Sequence, residues 1–136
     1  MNIGVSQAQG RVPVAILSIQ GNLDASNYQE LIAKAKEVYH EGIGNILIDL
    51  TGTAFISSSG LVALHSIASL LRREQSPDPE YGWSAIHAVG RGLGPGTQQR
   101  LKLLNPQPKV DRTLTIAGLK ELFEIHTDLT TAVASF

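Results

Sequence analysis

Two apolar runs at the start of the chain have the alternation and the β-branched content of paired strands. Residues 3–9 form the weaker run, and residues 12–20, VPVAILSIQ, form the stronger one. Gly10 and Arg11 lie between them and favour a turn, so the two runs predict a β-hairpin. Because proline cannot donate a backbone hydrogen bond, Pro13 predicts that this end of the hairpin lies at the start of a strand or at the margin of a sheet.

Apolar residues recur at helical spacing in two later segments. The first predicted helix has Ser26 as a candidate N-cap and ends at Gly42 and Gly44. Its apolar positions are Tyr28, Leu31, Ile32, Ala35 and Val38. The apolar positions of the second are Leu61, Leu64, Ile67, Ala68 and Leu71, and Arg72 and Arg73 follow near its C-terminal end. Each helix therefore presents one apolar stripe to a core.

Shorter elements complete the pattern. Residues 46–50, ILIDL, lie between the two helices and predict a central parallel strand that is buried on both faces. Residues 76–96 are rich in proline and glycine and predict an insertion-like loop. The remaining predicted elements are a strand at 100–104, a helix at 106–115, a strand at 122–126 and a helix at 128–135, with Asp128 as the cap of the last.

The order of these elements predicts an α/β fold. After the hairpin, strands and helices alternate, which favours parallel pairing with right-handed crossovers. We therefore predict one domain over residues 1–136, with a mixed sheet of about five strands and about four helices, interrupted by the loop at 76–96 between the second helix and the fourth strand.

Composition excludes several classes of function. The formal charge is -1 and the eleven Lys and Arg residues are scattered, so we expect no direct nucleic-acid binding. Arg91, Arg100 and Lys102 form a loose basic group, which usually indicates a solvated face. The chain has no cysteine, and its first residues lack the apolar core of a signal peptide. No apolar run has transmembrane length, so we expect a soluble, cytoplasmic protein with no membrane insertion.

The segment at 49–61, DLTGTAFISSSGL, has the most distinctive chemistry. A β-rich run stops at three serines and a glycine, and an amphipathic helix begins there. Any of Ser57, Ser58 and Ser59 could cap the first turn of the helix. The same unpaired N–H groups and the helix dipole would also favour a phosphate on a serine. The segment therefore predicts either a cap or a switch.

An enzymatic function has little support. The G-x-S-x-G motif of serine hydrolases is missing, and His65 lies about two helical turns beyond Ser58 on the same predicted helix. The glycine-rich run at 90–96, GRGLGPG, lacks the Lys-Ser/Thr ending of a phosphate-binding loop. We therefore predict no enzymatic activity, no catalytic residues, no cofactor and no metal site.

The order of elements, GNLD at 21–24 and above all FISSSGL at 55–61 resemble the STAS domain of bacterial anti-sigma factor antagonists. The resemblance covers nearly the whole chain except the insertion. In that family the acceptor segment is usually Asp-Ser-Ser-Gly or Asp-Ser-Thr-Gly, and the first Ser is phosphorylated by a kinase that is also the anti-sigma factor. The resemblance implies that Ser58 is the phosphate acceptor. The departure is Ser57, which stands where the family usually has Asp and removes one negative charge beside the acceptor.

Two functions follow from this resemblance. The first is a non-enzymatic anti-sigma factor antagonist that switches partners when Ser58 is phosphorylated. The second is a constitutive STAS scaffold or regulatory subunit without a phosphorylation switch, because altered acceptor segments occur in such STAS domains. Self-association is a further possibility for either. The partner-binding residues implied are Asp24, Ser57, Ser58, Ser59 and Gly60.

Overall fold

The computed structural model describes residues 2–72 and 98–136 and has the predicted α/β architecture. The strands are β1 (Asn2–Gln9), β2 (Pro13–Gln20), β3 (Ile46–Asp49), β4 (Gln98–Leu104) and β5 (Phe123–His126). The helices are α1 (Tyr28–His40), α2 (Ser58–Arg72), α3 (Pro108–Ile116) and α4 (Leu129–Ala134), with a short 3-10 turn at Leu119–Glu121. The predicted insertion at 76–96 lies outside the described residues.

The five strands form one mixed sheet in the order β1-β2-β3-β4-β5. β1 and β2 are the predicted antiparallel hairpin, and the other three pairings are parallel. Pro13 opens β2 opposite Gln9, at the end of the hairpin and beside the edge strand, as predicted. β3 is the middle strand, and Ile46, Leu47 and Ile48 are fully buried. The apolar run at 46–50 therefore marks the centre of the sheet.

Both faces of the sheet are covered, which explains the nearly continuous apolar runs of β2 and β3. Alternate residues of β2 point to opposite faces. Ala15, Leu17 and Ile19 contribute to the larger core, which also contains buried residues of α1, α2 and α3. Val14 and Ile16 contribute to the smaller core, against α4. A strand that is buried on both faces cannot show the polar alternation of a half-exposed strand.

One charged side chain is buried under the smaller face, contrary to the prediction that it lies on a solvated surface. Lys102 of β4 is 3% exposed. Its Nζ donates hydrogen bonds to the carbonyl oxygen and to Oγ of Ser135, each at 2.9 Å, and lies 3.3 Å from a carboxylate oxygen of Glu124. The same Nζ lies 4.8 Å from the centre of the Phe136 ring. These contacts offset the cost of burying the ammonium and hold the end of α4 to the sheet.

The helix ends show where the local rules succeed and where they fail. Gly42 has φ +97°, and the N–H of Ile43 donates to the carbonyl of Val38, so a glycine ends α1 as predicted. The prediction of Ser26 as the N-cap of α1 is wrong, because the cap position is Asn27. The Ser26 hydroxyl donates instead to Asp24. Asp128 is confirmed as the cap of α4.

Candidate functional site

Two loops meet at the carboxyl ends of β2 and β3. Leu23 and Ile56 form an isolated parallel bridge. The Leu23 N–H donates to the carbonyl of Phe55, and the Ser57 N–H donates to the carbonyl of Leu23, each at 2.9 Å. The buried hydroxyl of Thr53 anchors the loop that follows β3, because it donates to the carbonyl oxygen of Ile19 near the end of β2 at 2.9 Å. The GNLD loop is therefore held directly against the segment that enters the serines.

Of the three serines that could cap α2, the structure has Ser57 at the cap position. Its carbonyl accepts the hydrogen bond of the Leu61 N–H at 3.0 Å. Its Oγ accepts a longer bond, 3.4 Å, from the N–H of Gly60, the third residue of the helix. The first turn contains no acidic residue. The N-terminal partial charge of this helix is therefore matched by one neutral hydroxyl.

Ser58 begins the helix and is exposed, whereas Ser57 and Ser59 are half-buried. Within residues 2–72 and 98–136, the Ser58 hydroxyl has no hydrogen-bond partner. Because Ser57 already occupies the cap position, the Ser58 side chain has no role in holding the helix start. Its hydroxyl is accessible to another protein or to a modifying enzyme.

Gly60 is required by the close approach of α2 to the GNLD loop. A Cβ at this position would lie 2.6 Å from Cγ1 of Ile56 and 3.0 Å from both Cγ and the carbonyl oxygen of Leu23. Both of these side chains are fully or almost fully buried. The glycine therefore lets the first turn of the helix pack on the bridged loops, and this packing fixes the position of Ser58.

Asp24 lies on the bridged loop, and its carboxylate is engaged locally. The carboxylate accepts hydrogen bonds from the hydroxyl and the N–H of Ser26. These two bonds, the hydroxyl first, lower the pKa of Asp24 below its ordinary value, so the group is ionised at neutral pH. The Asp24 N–H donates to Oδ1 of Asn27, and the Asp24 carbonyl accepts from the N–H of Tyr28. Asp24 thus shapes the entry to α1 and places one negative charge on the loop.

The sequence analysis missed two exposed apolar residues near Ser58. Phe55 lies two residues before the cap residue Ser57 and is 47% exposed, and Val62 lies one turn beyond Ser58 on α2 and is 49% exposed. Val62 also lines an open groove of about 440 Å³ between α1 and α2, together with Tyr28 and Ile32. The available signals were a phenylalanine directly before the serines and a valine four residues after Ser58. Neither residue type by itself indicates exposure.

The match to a known family covers just over half of the chain. The model of the STAS domain matches residues 6–76, which include most of the hairpin, the bridged loops and all of α2. The chain belongs to the STAS domain family. The resemblance found in the sequence is therefore confirmed. A comparison with curated protein sequences gave no match.

Solved structures share the fold of this STAS domain. An anti-sigma factor antagonist from Mycobacterium paratuberculosis is 19% identical with a TM-score of 0.65, and the alignment covers 98% of this chain and 92% of that one. A candidate anti-sigma factor antagonist from Thermotoga maritima is 17% identical with a TM-score of 0.67, covering 96% and 90%. The Bacillus protein SpoIIAA in its phosphorylated form is 17% identical with a TM-score of 0.56, covering 97% and 96%.

A serine, a histidine and an acid do meet in this STAS domain, but away from Ser58 and in the wrong geometry for a catalytic triad. Ser135 Oγ lies 3.3 Å from Nε2 of His126, and Glu124 Oε1 lies 2.7 Å from the same nitrogen. In a triad the acid binds the other ring nitrogen and leaves Nε2 to the nucleophile. This group therefore ties α4 to β5. Over the described ranges, no three metal-ligating side chains cluster and no helix is long and apolar enough to span a membrane.

Proposed function

We propose that this STAS domain is a non-enzymatic anti-sigma factor antagonist that acts in the cytoplasm. Its partner is an anti-sigma factor that is also a serine kinase, and phosphorylation of Ser58 controls their association. The surface assigned to this partner contains Asp24, Ser57, Ser58, Ser59 and Gly60, and we add the exposed Phe55 and Val62. The family membership and the fold shared with anti-sigma factor antagonists support this assignment.

The observation that carries the proposal is the difference between Ser57, which has a structural role, and Ser58, which has none. Ser57 caps the helix, whereas Ser58 is exposed and its hydroxyl makes no hydrogen bond within the described residues. A kinase can modify the Ser58 hydroxyl without first breaking a structural contact. The apolar side chains of Phe55 and Val62 give a partner protein area to bury around it.

Phosphorylation at this position would change the surface without unfolding the helix. A phosphate adds about 1.5 to 2 negative charges at the helix N-terminus, where the backbone N–H groups and the dipole favour an anion. A partner that fits the neutral hydroxyl between Phe55 and Val62 would instead meet a charge that must be desolvated. The modification therefore leaves the domain folded and weakens the complex. The fold that this chain shares with SpoIIAA in both unphosphorylated and phosphorylated forms supports a switch of this kind.

The constitutive alternative is favoured by one feature, the neutral cap. Ser57 places no acid beside Ser58, so a kinase that recognises the usual Asp would act slowly on this chain. A surface built on Phe55 and Val62 could still bind a constant partner by apolar burial. In that case Val62→Lys would weaken binding, whereas substitutions of Ser58 would have little effect.

The deciding experiment uses two serines of the same helical turn. The purified chain is incubated with ATP and a purified candidate anti-sigma factor kinase, and the phosphate is located by peptide mass spectrometry. We expect Ser58→Ala to abolish phosphorylation and the matched variant Ser59→Ala to retain it.

Partner binding is then measured by calorimetry. Ser58→Asp should weaken binding by about fivefold to a hundredfold, since coupling energies of this kind are about 1 to 3 kcal/mol. If Ser58→Ala and Ser58→Asp both bind as the wild type does, the charge switch is wrong. If Val62→Lys alone weakens binding, the constitutive scaffold replaces it.

A further inference from the structure

The two edges of the sheet are built differently. β5 has four residues, carries Glu124 and His126, and pairs with β4 through a register shift between Gln98 and Leu103. Short length, charge and irregular pairing are the features by which proteins prevent an edge strand from pairing with another chain. The β5 edge is therefore protected.

β1 has none of these features. It pairs with β2 over all eight residues, from Asn2 opposite Gln20 to Gln9 opposite Pro13, without a register shift. Its sequence, NIGVSQAQ, contains no charged residue and no proline. The residues from Gly4 to Gln7 are exposed, and Val5 is 47% exposed. Across the described ranges no other strand pairs with the outer side of β1, so its outward N–H and C=O groups are available.

We propose that β1 is a self-association site at which the β1 strands of two copies pair antiparallel. The two five-stranded sheets would then join into one continuous sheet across a two-fold axis. Two-fold dimers are the commonest protein assemblies, and an antiparallel strand pair has this symmetry by construction.

The charge pattern selects a second copy as the occupant. In a symmetric pair every charge on the strand faces the same strand of the partner, so a single lysine or glutamate near the centre would meet its own copy. The uncharged sequence of β1 avoids this repulsion in any register. An acidic or basic peptide would find no opposite charge on β1 to recognise. A second copy of the same uncharged strand meets neither repulsion nor an unmatched charge, so it can pair along the whole of β1.

The proposed dimer is independent of partner binding at Ser58. Ser58 begins α2, beside the bridged loops that follow β2 and β3, whereas the proposed contact runs along the outer side of β1. An eight-residue strand pair makes a small interface, so we expect a weak dimer that dissociates on dilution.

The test uses two valines with nearly equal exposure, Val5 at 47% and Val62 at 49%. The mass of the full chain is measured by sedimentation over a wide concentration range for the wild type, Val5→Lys and Val62→Lys. We expect a monomer–dimer equilibrium for the wild type and for Val62→Lys. Val5→Lys should raise the dimer Kd by about fivefold or more, because it removes an apolar contact and places like charges across the two strands.

Hydrogen exchange of the backbone amides locates the contact. The amides of residues 2–9 should become more protected as the protein concentration rises. A wild type that stays monomeric at every concentration would overturn the proposal. A dimer that Val5→Lys leaves intact, or whose concentration-dependent protection lies on another element, would overturn it as well. Circular dichroism of each variant confirms that the fold is retained.

Discussion

The packing at Gly60 makes a prediction that separates steric from helical effects. Replacement of a helical glycine by alanine normally stabilises a helix, by up to about 1 kcal/mol. At this site the new methyl group would lie 2.6 Å from Ile56 and 3.0 Å from the side chain and carbonyl of Leu23. Because Ile56 and Leu23 are buried and carry the bridge between the two loops, they cannot move without disturbing it.

The expected size of the effect follows from these distances. Overpacking of a buried site costs about 1 to 3 kcal/mol, and contacts with two buried side chains and a backbone oxygen place Gly60 in the upper part of that range, above the helix gain of up to about 1 kcal/mol. We therefore expect Gly60→Ala to lower the free energy of unfolding by about 1 to 2 kcal/mol. For a domain of this size, about 4 °C of melting temperature corresponds to each kcal/mol, so the midpoint should fall by about 4 to 8 °C.

The assay is thermal and urea unfolding followed by circular dichroism, with Gly4→Ala as the matched control. A Cβ at Gly4 would lie 3.9 Å from Cβ of Ser18, which is an ordinary contact, and Gly4 lies in a strand where alanine is favoured over glycine. The control should be as stable as the wild type or slightly more stable. If Gly60→Ala is also as stable as the wild type, the bridged loops are not rigid and the position of Ser58 is not fixed by this packing.

Three further predictions concern the caps and the buried lysine. Ser57→Ala should lower the free energy of unfolding by about 0.5 kcal/mol in urea titrations, because its cap bond is long, and a loss above about 2 kcal/mol would contradict this. Lys102→Ala should lower the free energy of unfolding by about 2 to 4 kcal/mol and expose the α4 amides to hydrogen exchange, because its packing and its bonds to Ser135 are lost together. The control Lys109→Ala, on the exposed surface of α3, should have little effect. The N–H and the hydroxyl of Thr131 donate to Asp128 and lower the pKa of its carboxyl. The contribution of Asp128 to folding stability is therefore complete above the ordinary pKa and is lost as pH falls through the lower pKa of the folded state. Asp128→Asn should flatten the dependence of the free energy of unfolding on pH in this acidic range.

Most elements could be predicted from the sequence because their signals are local. The helical spacing of α1 and α2 and the apolar runs of β2 and β3 reflect burial on one face or on two, which periodicity records directly. The cap of α1 lies one residue beyond the predicted Ser26, because the Asp24 carboxylate binds Ser26 in a turn and the helix begins at Tyr28. Local sequence offers Ser26 as a good cap and does not show that a neighbouring carboxylate already holds it.

The details of the candidate site depend on contacts between distant segments, so the local sequence did not show which serine caps α2 or which apolar residues are exposed beside it. Three consecutive serines are equivalent as caps until the Leu23–Ile56 bridge fixes which of them ends the loop. Phe55 and Val62 are apolar residues that a pattern would place in the core, but Phe55 is exposed on the loop before α2 and Val62 is exposed at the groove between α1 and α2. Lys102 shows the opposite error, because its burial requires the hydrogen bonds that Ser135 supplies from the end of α4.

An aspartate in place of Ser57 would both cap α2 and put a negative charge beside Ser58, whereas Ser57 only caps the helix. Serine and aspartate are comparable N-caps, so the structural task at the start of α2 is met by either residue. Only aspartate adds a negative charge beside the Ser58 hydroxyl, and the first turn of this helix contains no other acid. In this chain a phosphate on Ser58 would therefore face the helix N–H groups without repulsion from a neighbouring carboxylate. The same substitution that removes a charge a kinase could recognise also makes the phosphorylated form easier to accommodate, so slow phosphorylation and a stable phosphorylated state are expected together.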